Sequence, residues 1–402
     1  MTKLIYTYAQ LERDVSMFLT RHYRGMYFTV MVTAVVALAS ASGVLAPGQG
    51  WMYDHFVSAM PHLIKEESQV VIVETSENVL DMEEVDWVRL LNTVQHLGAR
   101  QVVFSERPSR VDAAFSEQVR NSGNVVIGYT LNSQENDAVE LTIADRPAAV
   151  ADADVTVGVV TIPASDHGIS RQYSTRVTVG EDELPTLAVA AAQASDLSVP
   201  IPSGKGFLIN FNDGRDRLPK VSAARVLDDA LIPELVTGRT VLIGRRADVN
   251  APGIHAPNTY DREPLSLLEF QGYALDTLLG GKYIHSIAPW WIFGMLLLTA
   301  FASLLIYQCV DVRMGGWFTL SLLVFYWVVA WVQLHYLHIW IPVFELTLSQ
   351  CALYLLVARH KVAENDSALR KLIVDGSSQF HEAASPAHFY DSSEHWTQVI
   401  TL

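Results

Sequence analysis

Six polar residues each stand just beyond a short apolar run that reads as a buried strand: Glu74, Glu77, Glu106, Arg107, Asn212 and Arg245. In open parallel sheets, ligands bind beyond the carboxyl ends of the strands. Carboxylates, guanidinium groups and an amide gathered there would bind a small polar molecule. Ordinary loop polarity accounts for the same residues without any site. Asp166, Gly168 and Arg171 (DHGISR) read as a tight structural turn, with Arg171 pairing nearby carboxylates. Glu345 lies inside a long apolar run, where acids are usually partnered or functional. Near an interface it would instead snorkel to water. Gln308, Gln333 and Gln350 lie in similar runs and suit hydrogen bonds between helices.

Other motifs carry less chemistry. Gly204-Lys205-Gly206 lacks the spacing of a phosphate loop and reads as a turn before a strand. His255 has no His, Cys or Asp partner at metal-ligand spacing. No Ser-His-Asp order stands out. The expectation is therefore no catalytic residue, no metal and no cofactor. The formal net charge of −15 argues against nucleic acid, because phosphate neutralisation needs Lys and Arg. It is the charge of a soluble acidic surface, with cation binding as the lesser reading. The two cysteines, Cys309 and Cys351, both fall in apolar runs, so the middle of the chain must stand on its own core.

The elements that would position the six residues alternate. Residues 70–73, 101–104 and 124–129 read as buried strands, with helices at 85–97 (stopped by Gly98) and 113–119 between them. A second series follows: a helix at 184–194 with Pro185 near its start, a strand at 207–211, a helix opening at 222–227, a strand at 240–244, and a helix at 267–279 before Gly280-Gly281. Strand–helix alternation predicts a mostly parallel sheet with flanking helices.

Four apolar runs reach the roughly 20 residues a membrane helix needs: about 26–46, 289–310, 317–333 and 341–358. Arg13, Arg21 and Arg24 precede the first; Arg313 lies in the short loop 311–316; Arg359, Lys361, Arg370 and Lys371 follow the fourth. Alternating crossings put all of them on one side, so both termini are expected in the cytoplasm and residues 47–288 outside it. Trp290, Trp291, Trp317, Trp331 and Trp340 fit interfacial aromatics. Residues 8–26 have helical apolar spacing at Leu11, Val15, Phe18 and Leu19, either as an amphipathic helix or as a continuation of the membrane helix. The expected organisation is 1–25 cytoplasmic segment, 26–46 first span, 47–288 extracytoplasmic α/β domain, 289–358 three further spans, and 359–402 cytoplasmic helix and linker.

This order resembles the CHASE-type extracellular sensor domains, second class, of bacterial receptors. The likeness is carried by VVIVETS at 70–76 with Trp87, by QVVFSE at 101–106, and by Asp166, Gly168 and Arg171. It continues in 208–212, Pro219, VSA at 221–223, GRTVLIG at 238–244, His255-Ala256-Pro257 and 272–279. Paired aspartates that usually end the first strand are replaced by Glu74 and Ser76; Ser105 replaces another acid; Asn250 and Ala256 alter the closing segment. The resemblance implies a homodimeric inner-membrane sensor that binds a small molecule or an envelope protein outside. It would relay that event to a cyclase, diguanylate cyclase or kinase output beyond Leu402. The alternative is a scaffold or accessory subunit of an envelope complex, with the outer domain as a protein-binding module.

Overall fold

The computed structural model describes residues 25–58, 67–75, 86–106, 108, 113–133, 141–143, 156–161, 168–179, 182–197, 199–211, 218–228, 230, 232–246, 253–257 and 264–383. The expected amphipathic N-terminal segment lies outside them up to residue 24; the stretch 375–393, expected as a linker, is helical as far as Ala383 and lies outside them beyond it. The described residues fall into two compact units, one within Met1–Ala46, Ala288–Val328 and Pro342–Leu402, the other within Pro47–Ile287 and Val329–Ile341.

In chain order the elements begin with α1 (Gly25–Ala41), α2 (Ala46–Ser58), β1 (Val70–Thr75), α3 (Trp87–His96), β2 (Gln101–Phe104), α4 (Ala113–Ser122) and β3 (Val125–Ser133). Then come β4 (Leu141–Ile143), β5 (Thr156–Val160), β6 (Gln172–Ser174), β7 (Arg176–Val179), β8 (Asp182–Pro185), α5 (Leu187–Ala194), β9 (Gly206–Leu208), β10 (Lys220–Ser222) and α6 (Ala223–Leu227). The chain continues with β11 (Thr240–Arg245), α7 (Leu267–Leu279), β12 (His285–Ser286), α8 (Pro289–Cys309), α9 (Val312–Tyr336), β13 (Ile339–Trp340) and α10 (Val343–Ala383).

The α/β unit is built on a sheet of order β10-β1-β11-β2-β3, extended at β3 by parallel β5 and antiparallel β4. The pairings β10–β1, β1–β11, β11–β2 and β2–β3 are all parallel. Both faces are covered, which is why the strands read as unbroken apolar runs rather than alternating ones. Val71, Val73, Val102, Phe104, Val241 and Ile243 meet Trp87, Leu90, Leu91, Val94 and Phe115 on one face. On the other, α7 lies against β1 and α5 against β5. There the close approach requires Gly158: a Cβ would stand 2.6 Å from Leu187 Cα. Each fully buried Val, Leu or Ile contributes about 1.5–3 kcal/mol relative to exposure.

Local signals set the helix ends. Asp86 accepts from Arg89 N at 2.8 Å and caps α3, and Gly98 takes the left-handed conformation (φ 81°) after it. Ser266 and Glu269 form a reciprocal capping box at α7. Glu269 also accepts from Lys220 on β10. Burial pushes the Glu269 carboxyl up, but the Lys220 and Ser266 hydrogen bonds outweigh it and hold it below its ordinary value.

Two expectations for this unit change. Pro185 ends β8, paired with Arg176, and Thr186 rather than Pro185 precedes the helix. The 207–211 run does not join the main sheet: β9 pairs antiparallel with β6. The edge strands β5 and β10 take places in the sheet that the sequence reading left empty.

Among the described residues, the helices Trp290–Cys309 and Val312–Tyr336 are long and apolar enough to cross a membrane. The expected first run is interrupted, because the chain turns at 42–45 with Gly43 at φ 76°. It meets the length and apolarity of a span only together with Ala46–Ser58, as a broken span or a re-entrant loop. The fourth expected run opens α10, whose Glu345, Ser349 and Gln350 dilute its apolarity. The expected loop 311–316 shrinks, since α9 begins at Val312. Gly315-Gly316 is helical rather than a break, and a Cβ on Gly316 would stand 2.9 Å from Tyr354 Oη. Hydrogen bonds tie the helices together: Tyr307 Oη with Thr319 Oγ1 (2.6 Å), Trp327 Nε1 to Thr347 Oγ1 (3.1 Å), and Lys361 Nζ to Val310 O (2.6 Å).

Candidate functional site

At the carboxyl end of the sheet, the structure brings together two of the six residues singled out. Arg245 ends β11, Glu106 lies two residues past β2, and Arg245 Nη2 donates to Glu106 Oε2 at 2.7 Å. Both side chains are over one-third exposed (41% and 35%), so the pair contributes less than about 1 kcal/mol. Glu74, near the end of β1, is half-buried in register with Gly244 and Ser222. Glu77, Arg107 and Asn212 lie outside the described residues, as does Asp166.

Gly168 holds φ 80°, as a turn glycine does. Three residues later Arg171 enters a different constellation. Its Nε donates to Asp54 Oδ1 at 2.8 Å and its Nη2 to Asp54 Oδ2 at 2.7 Å, a two-pronged pair with side-chain exposures of only 11% and 3%. Asp54 sits on α2, the element that follows the first apolar helix. Gly50, one turn earlier on α2, leaves room for the guanidinium: a Cβ there would lie 3.0 Å from Arg171 Cζ. Burial raises the Asp54 carboxyl and the two Arg171 interactions lower it; burial wins, so the carboxyl stays above its usual value. Burial likewise raises the neighbouring Tyr53 phenol.

Arg171 is held from behind. Its carbonyl accepts from Ile209 N at 3.0 Å. Two residues on, the fully buried Tyr173 hydroxyl donates to Gln271 of α7 and accepts from Ala188 N of α5. The pair is thus wired to both helices that cover one face of the sheet.

On its other side, α2 meets β13. The Trp340 ring stands edge-on to Tyr53 (centroids 5.1 Å apart) and to Phe56 (5.9 Å). Trp340 is therefore buried in the α/β unit, whereas Trp290, Trp291 and Trp317 are exposed as interfacial rings would be. β13 pairs in parallel with β12, His285 opposite Ile339 and Ser286 opposite Trp340. His338, at the bend from α9 into β13, has φ 52°, the one positive φ outside glycine among the described residues. Such a conformation costs an L-residue about 1–2 kcal/mol, so the surroundings enforce the bend. α2, β13 and β12 thus hold one another within the α/β unit.

Glu345 is fully buried and accepts from Ser40 Oγ of α1 at 2.9 Å, so it is partnered rather than snorkelling. Ser349 and Gln350, about one turn further, are fully buried as well. Sequence reasoning missed Asp54 and Tyr53 and took Trp340 for an interfacial ring. The available signal was Asp54 as the lone carboxylate in the segment 46–58, but its partner is 117 residues away. Among the described residues no group of three or more His, Cys, Asp or Glu could hold a metal.

A scan of the chain against protein-family models found no match, and searches of curated proteins and of solved structures found no similar protein.

Proposed function

We propose that this chain is a membrane receptor whose outer α/β domain controls the packing of four membrane helices. The observation that carries the reading is that α2, β12 and β13, which stand next to apolar helices in the sequence, hold one another in one cluster with the Asp54–Arg171 pair and Trp340. A ligand or partner that shifts this cluster changes the helices that leave it. Such a signal must bind two arrangements of the cluster with different affinity. The resemblance to CHASE-type sensors supports the same reading, as does the distribution of basic residues, which favours both termini in the cytoplasm of a bacterium. The receptor acts as a homodimer, since relative motion of helices between protomers is what a cytoplasmic output would read.

Topology is the first test. Cys309 and Cys351 are replaced by serine, and single cysteines are introduced as Asp182→Cys, Asp311→Cys or Asp366→Cys. A membrane-impermeant maleimide applied to intact spheroplasts should label the first variant alone, and all three after lysis. Labelling of the Asp366→Cys variant before lysis would contradict the arrangement.

A further inference from the structure

Beside β12 the α/β unit holds a cleft of about 330 Å³, within the range of small-molecule sites. Its lining includes Gln172, Ser203, Phe207, Tyr283, His285 and Ser286. We infer that this cleft binds a neutral saccharide of one or two rings, and that it, rather than the carboxyl edge of the sheet, is the ligand site.

Three features carry this. The first is the absence of charge: among the described residues no Asp, Glu, Lys or Arg lines the cleft. A charged ligand would find no counter-ion there, and burying one unpaired is costly. The second is the pairing of ring faces with hydrogen-bonding groups. The half-buried Tyr283 ring lies 4.4 Å from the exposed His285 ring between centroids, and the buried Phe207 backs it edge-on at 6.3 Å, so Tyr283 and His285 are the rings a ligand can reach. Hydroxyls of Ser203 and Ser286 and the amide of Gln172 border them. A pyranose has the matching surface, with apolar C–H faces and a rim of hydroxyls. The third is a stiff wall. Thr175 holds the 204–205 turn by Oγ1 to Gly204 O (2.6 Å) and N to Lys205 O (3.0 Å). Gly206 is pressed so close to the neighbouring strand that a Cβ would stand 2.8 Å from Tyr173 O. A preformed wall lowers the ordering cost of binding.

The floor is the antiparallel bridge Leu208–Ile284, and Ser286 is three residues before α8. A ring seated on Tyr283 and His285 therefore bears on β12, one of the elements of the junction. This consequence rests on the receptor reading; binding itself does not.

Saturation-transfer NMR on the full chain in lipid nanodiscs, with maltose, lactose and N-acetylglucosamine as probes, tests the site. At least one probe should receive saturation from the wild type. Tyr283→Ala and Gln172→Ala should weaken it by about tenfold or more, as loss of an aromatic anchor does. Tyr283→Phe, which keeps the ring, and Glu106→Gln, at the sheet edge, should retain it. No transfer to any probe, or transfer unchanged in Tyr283→Ala, overturns the proposal. Binding that leaves the packing of α10 unaltered upholds the cleft and tells against the receptor reading instead.

Discussion

Glu106–Arg245 and Asp54–Arg171 are both carboxylate–arginine pairs closed at 2.7 Å, yet they stand in opposite settings. The first lies on the rim of the sheet with both side chains well exposed, where water and salt screen it. The second is buried under α2, two-pronged, and backed by the Tyr173 network. An exposed pair can open and close at little cost. A buried pair keeps two elements in register, and breaking one half strands a charge. The sheet edge has the conventional position for ligand binding, and the buried pair has the rigidity that the proposed receptor would need to relay it.

Four experiments would break or sharpen this contrast. Removing one half of the buried pair, as Arg171→Gln, should cost about 3–5 kcal/mol. Hydrogen exchange of the α7 amides in the nanodisc-held chain reads this loss. The double variant Asp54→Asn with Arg171→Gln should recover most of it. Trp340→Ala should cost about 3 kcal/mol, as deletion of a buried aromatic does, and should speed exchange in α2 and β12 together. His338→Gly should stabilise the α/β unit by about 1 kcal/mol by relieving the strained bend. Glu106→Gln should change stability by less than about 1 kcal/mol.

Acid separates the two halves of the domain further. The Glu269 carboxyl is depressed in the folded chain, so its contribution is present above the unfolded pKa and is lost as pH falls through the folded value. Glu269→Gln should flatten the acid limb of the stability curve. Asp54 has the opposite sign. Its raised carboxyl binds a proton more readily when folded, so its contribution declines as pH rises from the ordinary carboxyl range through the raised value. Asp54→Asn should remove that decline.

The central sheet was legible because strands covered on both faces leave dense apolar runs, as in 70–73, 101–104 and 240–244, and because Gly98 and Gly280-Gly281 mark helix ends locally. The edges were not. β10 is three residues long with an exposed–buried–exposed pattern, and β9 left the main sheet for β6, a choice made by long-range pairing. The rim residues Glu106 and Arg245 were visible because position after a strand is a local signal. The Asp54–Arg171 pair was half visible: Arg171 stood out beside its turn glycine, while Asp54 stood in an apolar helix with nothing nearby to mark its partner. Trp340 looked like an interfacial ring because its sequence neighbours are apolar whichever surface it meets.

The claim that the junction governs the membrane helices is tested most directly by pulsed electron paramagnetic resonance. A single nitroxide attached at Asp366→Cys, in the chain lacking Cys309 and Cys351, is measured in nanodiscs with and without Arg171→Gln. The account predicts an inter-protomer distance that is defined in the parent and shifted or broadened when the clamp is lost. An identical distribution in both, or no inter-protomer distance in either, would contradict it.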